Sequence, residues 1–255
     1  MKAFFTAVLA VVCAVVLIYG QIHWNDKIHS ASGGMNIAKA QDSVVHKQDY
    51  SPLLAYAANW PQEAKEAFKQ KLEEKKIYRI MMVGSNAIGS EPGSLSDIVS
   101  KKMTETYGAD HLQVRVHAYN TTSAKFIMEE KYLKLAEEGA DLVLFEPFTL
   151  NDNGVVETGS SLKNITTFMN AFKEKNPKAV FILQPPHPIN ATYYPKQVEQ
   201  LKAFAKENGI AYIDHWKAWP VSADLKDYLL ADQSGPNEKG IKIWSDYILN
   251  YLITQ

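Results

Sequence analysis

Five short stretches carry the residues of this chain that could do chemistry. Ser85 and Asn86 stand where the large apolar run Tyr78–Val83 gives way to Gly84. A serine hydroxyl attacks an acyl carbon once a neighbouring base takes its proton. Asn151, followed by Asp152, Asn153 and Gly154, carries an amide that can be aimed at a developing oxyanion. Asp232 lies six residues before Glu238, in Asp232-Gln-Ser-Gly235-Pro236-Asn237, and a carboxylate there can orient a histidine. His187 lies among prolines in Pro185-Pro-His-Pro188, and His215 lies between Asp214 and Trp216. Each also has an ordinary reading. Ser85 can cap its own turn, and Asn, Asp and Gly are common turn formers. Asp232 can cap a helix, His187 can stiffen a surface loop, and His215 can be a hydrogen-bonded residue of the interior. Tyr193, Tyr194, Trp216 and Trp219 can wall a sugar site or pack the core, and packing is the simpler account.

The elements that must position these groups follow from hydrophobic period. Strand-like runs cover 77–83, 112–118, 141–146, 179–184 and 210–214. Between them, apolar residues recur every three or four positions, as at Leu95, Ile98, Val99 and Met103, or at Ile241, Trp244, Ile248 and Leu252. A further helix is expected from Pro61, with Ala64, Phe68 and Leu72 on one face. Strands alternating with helices predict an α/β fold: a three-layer α/β/α domain around a five-stranded parallel sheet. Ligands of such sheets bind outside the carboxyl ends of the strands, which is where all five stretches fall.

Taken together, these stretches resemble the blocks of the SGNH, or GDSL-like, hydrolase family over roughly residues 77–253. Gly84-Ser85-Asn86 stands where that family has Gly-Asp-Ser. Asn120 stands near the expected glycine, Thr149–Asp152 matches Gly-x-Asn-Asp apart from its Gly, and Asp232–Gly240 matches the last block with its Pro-Asn and Gly. The resemblance implies a flavodoxin-like five-stranded sheet and ester hydrolysis or acyl transfer without a cofactor. The departures fall on the reacting groups: in register, Asn86 holds the nucleophile position and Gly235 the position of the histidine base. Carried over to this chain, the resemblance implies Ser85 as a displaced nucleophile, Asn151 as oxyanion donor and Asp232 as the residue orienting whichever histidine serves. Asn86, Asn120 and His187 are the expected substrate-binding residues. The competing reading is a catalytically inactive relative that binds a glycan or a partner protein. A flavodoxin-like phosphate binder is disfavoured, because Gly84–Gly89 is not followed by the lysine of a phosphate loop.

Bulk properties limit the alternatives. The chain has 255 residues, a formal net charge of −1 and a single cysteine, Cys13. Nothing in that charge points to nucleic acid. No disulfide can form within the chain, and no Cys/His spacing suits a structural metal. After Lys2, an uncharged run extends from Ala3 to Trp24. About 20 apolar residues span a bilayer, and Ile18–Gln21 makes a poor cleavage site. Residues 1–24 therefore read as an uncleaved signal anchor, 25–60 as a linker or stalk, and 61–255 as the domain, held on the extracytoplasmic side. The expected partners are the membrane, through that helix, and an ester-bearing small molecule or acylated envelope glycan.

Overall fold

A computed structural model describes residues 48–254. The expected anchor over 1–24 and most of the expected linker lie outside the described residues. Among the described residues, no helix is long and apolar enough to cross a membrane. The compact unit begins at Asp49, earlier than the expected boundary at residue 61. The reason is apolar burial. Trp60 is buried against the rings of Phe68, Tyr78 and Tyr107, and its Nε1–H donates to the Leu252 carbonyl at 2.8 Å. The last residues of the presumed stalk are thus part of the core.

In chain order the elements are α1 (Ser51–Tyr56), α2 (Gln62–Glu73), β1 (Tyr78–Ser85), α3 (Leu95–Tyr107), β2 (Leu112–Tyr119), α4 (Ser123–Met128), α5 (Lys131–Glu138), β3 (Leu142–Phe145), α6 (Thr149–Asp152), α7 (Thr158–Lys175), β4 (Val180–Leu183), α8 (Tyr194–Glu207), β5 (Ala211–Tyr212) and α9 (Glu238–Leu252). Short 3-10 turns span Asn86–Ile88, His215–Ala218 and Ser222–Tyr228. All strand pairs are parallel and the sheet order is β2-β1-β3-β4-β5. This is the doubly wound flavodoxin-like arrangement, with β3 central and the chain switching direction across the sheet between β1 and β3.

Alternation along the strands builds the layers. Ile80 and Met82 of β1 face one core with Phe68, Val99, Trp244 and Ile248. Met81 and Val83 face the other, with Phe126, Leu135, Phe168 and Leu201. Successive side chains on a strand point to opposite faces, so a run that is apolar throughout must be covered twice. Helices α2, α3 and α9 cover one face, and α4, α5, α7 and α8 the other. Two details depart from the sequence reading. The helical segment between β2 and β3 is split in two, because Glu130 takes a left-handed backbone (φ 53°) between α4 and α5. Strand β5 is shorter than expected at two residues; after Ile213 donates to Leu183 O, the chain turns into the His215 segment.

Candidate active site

Ser85 is the last residue of β1 and has no exposed surface. Its hydroxyl accepts the Ala87 N–H at 3.2 Å and so starts the turn Asn86–Ile88. Asn86 itself is exposed above it. The Ser85 N–H donates to Glu146 Oε2 at 2.7 Å. Glu146, just past the end of β3, is the residue that the sequence reading missed. The available signal was a charged residue ending the otherwise apolar run Leu142–Phe145.

Glu146 is fully buried. Its second oxygen, Oε1, accepts the Phe148 N–H at 3.0 Å. Burial pushes its carboxyl up to about 7, against the downward pull of the Ser85 hydroxyl and the Ser85 and Phe148 amides; nearby Asp152 adds a further upward push. Two backbone features make room for this group. A Cβ on Gly84 would stand 2.9 Å from the Glu146 Cβ and 3.0 Å from its Oε2, so only glycine lets the carboxyl come beneath the strand end. Phe148, a bulky residue, holds a left-handed backbone at φ 61°. That conformation is costly for such a side chain, and it occurs at the residue whose N–H reaches back to Glu146.

The loops after β2 and β3 are tied to each other. The Asn151 amide donates to the Thr121 carbonyl at 2.9 Å, beside the exposed Asn120. Asp152 is buried and accepts the Ser123 N–H at 2.7 Å and the Ser161 hydroxyl at 2.6 Å. Burial raises its pKa while Ser123 and Ser161 oppose the shift. Asp152 therefore fastens the start of α4 to the first turn of α7, and Asn151 is presented beside it with its amide plane set by Thr121.

The two histidines lie in adjacent loops. His215 has no exposed surface. Its Nε2 is 2.8 Å from the Pro185 carbonyl, and its Nδ1 accepts the Trp219 Nε1–H at 3.0 Å. These partners require the tautomer with the proton on Nε2. The ring stacks on Trp244 at 4.7 Å between centroids. Burial lowers its pKa to about 3. His187 is equally buried, but neither ring nitrogen meets a partner at hydrogen-bond geometry. Burial lowers its pKa to about 4, and only the Gln233 main chain comes near enough to pull it back upward. His187 thus lies beneath the last loop, whose Gln233 side chain also accepts the Asn190 N–H at 3.4 Å. Gly235, which stands where the family's histidine would be, is buried in the same loop. Asp232 is exposed, and its carboxylate is held by the hydroxyl and N–H of Ser234 at 2.7 and 3.0 Å. The Ser234 hydroxyl, with its amide, lowers the Asp232 pKa.

All of the expected residues stand at the carboxyl end of the sheet, in two groups. One joins Ser85 to Glu146, and Asn151 to the Thr121 loop. The other joins His187, His215 and the Asp232 loop through Gln233, Pro185 and Trp244. Among the described residues neither histidine is hydrogen-bonded to Ser85, and Asp232 is not bonded to a histidine. Three or more potential metal ligands do not cluster anywhere among the described residues. A groove of about 490 Å³ opens at the opposite end of the sheet, lined by Glu66, Gln70, Lys178, Asn208 and Ala211 among others. It contains none of the groups above.

No protein-family profile matches the chain, and no curated protein matches it. Solved structures do. A protein described as a GDSL-like lipase, from Parabacteroides merdae, superposes with a TM-score of 0.57 at 10% identity, over 70% of this chain and 96% of that one. A lipase/acylhydrolase from Enterococcus faecalis gives 0.53 at 15% identity, over 68% and 94%. An acetyl-xylooligosaccharide esterase from Geobacillus gives 0.50 at 13%, over 69% and 94%. Together with the parallel order β2-β1-β3-β4-β5, these likenesses show that the described domain has the fold of the SGNH, or GDSL-like, hydrolases.

Proposed function

We propose that this domain is an SGNH-type acyl-ester hydrolase or acyltransferase that uses Ser85 as its nucleophile. Its amino-terminal apolar run holds it on the outer side of a membrane, and its substrates are O-acylated envelope glycans. The observation that carries the reaction class is the gathering of buried polar groups where this fold does its chemistry. Ser85, Glu146, Asp152 and His187 are each at most 1% exposed, and all lie at the carboxyl ends of β1, β3 and β4. Burying such groups costs free energy unless they are paired, and His187 is not. The likeness to an acetyl-xylooligosaccharide esterase supports an acylated sugar as substrate.

In this reading the Ser85 hydroxyl adds to the acyl carbon as its proton leaves. The Asn151 amide donates to the oxyanion, and the sugar hydroxyl departs with a proton. Water, or an acceptor hydroxyl, then takes the acyl group from Ser85. Asn86 and Asn120, both exposed at the rim, contact the substrate; His187, neutral near pH 7, offers it a donor or an acceptor. Because Ser85 is sealed beneath Asn86–Ile88, the acyl group reaches it only when that turn lifts.

A second reading rests on the same seal. A Ser85 that only caps its turn, together with Gly235 in place of the base, suits a domain that binds acylated glycan without cleaving it. Turnover of 4-nitrophenyl acetate by the full-length chain separates the two. The hydrolase reading expects Ser85-dependent turnover, at least ~100-fold lower in Ser85→Ala. Absence of turnover and of fluorophosphonate labelling, with retained binding of acetylated glycan, establishes the binding domain instead.

A further inference from the structure

We propose that Glu146 takes the proton of the Ser85 hydroxyl, filling the role that Gly235 leaves empty; this rests on the hydrolase reading above. Glu146 is the acidic group that meets Ser85 directly: its Oε2 accepts the Ser85 main-chain N–H at 2.7 Å, which sets the carboxylate against the residue that carries the hydroxyl. The hydroxyl oxygen already accepts the Ala87 N–H, so its own hydrogen remains for a second acceptor. Both carboxylate oxygens are fixed, by Ser85 and Phe148 main-chain donors, so the group is held in one orientation against the strand end.

The chain accommodates this arrangement on two sides. Gly84 lacks the Cβ that would strike Glu146, and the N–H of Phe148, a left-handed residue, is shared at 3.0 Å between Oε1 and the main-chain carbonyl of Glu146. Strain and close approach concentrated on one buried carboxyl are more than is needed to close a turn, which Asp152 achieves nearby with ordinary backbone geometry. A buried carboxyl whose proton affinity is close to neutral also suits general-base work. The titratable groups that feel Glu146 are Asp152, from α6, and Tyr194, from the start of α8. Among the described residues no cation pairs with it. In the first step the O–H bond of Ser85 breaks and its proton passes to Glu146, while the Ser85 oxygen bonds to the acyl carbon and the carbonyl electron pair moves to oxygen. The same proton leaves Glu146 with the departing alcohol.

The test is the pH profile of 4-nitrophenyl acetate turnover by the full-length chain, in wild type, Glu146→Gln and Glu146→Asp. The expected result is a wild-type acid limb near neutral pH and a loss of at least ~100-fold in kcat with little change in KM for Glu146→Gln. Partial recovery in Glu146→Asp, with a shifted limb, is also expected. A purely structural Glu146 would leave the limb in place, and a Glu146→Gln that keeps turnover overturns the inference while leaving the Ser85 reading intact. If Glu146→Gln does not fold, Glu146→Asp decides: an unshifted limb is against the proposal. Wild type without Ser85-dependent turnover removes the hydrolase reading and this inference with it.

Discussion

The loops after β4 and β5 each bury a histidine, and they satisfy it in opposite ways. His215 has a donor for one nitrogen, an acceptor for the other and an indole stacked on its face. His187, one loop away and within 6.2 Å of the same Trp244 ring, has no hydrogen-bond partner at either nitrogen among the described residues. A neutral imidazole with both nitrogens paired is a structural joint between Pro185 and Trp219. The same ring buried without partners costs stability, which is the expected signature of a group kept for a ligand. Equal burial and equal chemistry therefore lead to different roles, and the difference lies in the neighbours.

The comparison breaks most visibly at His215. His215→Ala removes the stack and leaves the Trp219 N–H and Pro185 carbonyl unpaired, so a loss of ~3–4 kcal/mol is expected in urea unfolding at pH 7.5. A loss below ~1 kcal/mol would end the claim that this histidine is a joint.

Acid should expose the other side. The His187 pKa in the folded state is about 4 against an ordinary 6.5, so between those values the unfolded chain binds more protons. The stability linked to this ring is present in full above about 6.5 and is lost as pH falls through about 4. His187→Leu should therefore shrink the stability difference between pH 7.5 and pH 4 by roughly 3 kcal/mol. An unchanged difference would mean that the ring titrates normally.

Trp219→Phe probes one bond of the joint. It leaves Nδ1 of His215 buried without its donor and should cost ~1–2 kcal/mol, with ring nitrogen shifts in NMR reporting loss of the single Nε2–H tautomer. The smallest expected effect completes the contrast: His187→Leu at pH 7.5 should leave stability unchanged or raise it by up to ~1 kcal/mol, because no hydrogen bond is lost and an unpaired buried ring is removed. Thermal unfolding of this variant beside His215→Ala gives the ratio directly, and similar losses in both would dissolve the distinction.

Much of the architecture was legible beforehand. The five strand runs, the helix after Pro61 and the last helix with Trp244 and Ile248 buried all follow from period alone, because each needs only local spacing and one apolar face. The domain start was not, since Trp60 becomes core only by meeting Leu252, 192 residues further on. The candidate site divided in the same way. Its loops were found because strand ends are visible in sequence. Glu146 was overlooked because a lone acid at a strand end reads as the edge of a loop, and the Gly84 cradle that receives it belongs to another strand. Asp232 and Asn151 look alike as loop residues, yet one is bound within its own turn and the other across to Thr121.

By itself the sequence determined the alternation of strands and helices, the sheet's parallel sense and the end at which polar loops would gather. Apolar period and Gly or Pro punctuation are local, and they suffice for that. Only the tertiary structure decided which polar groups are buried, which histidine is paired, and that Glu146 lies against Ser85. Burial and hydrogen-bond partners are set by residues far apart in the chain, and no local pattern encodes them.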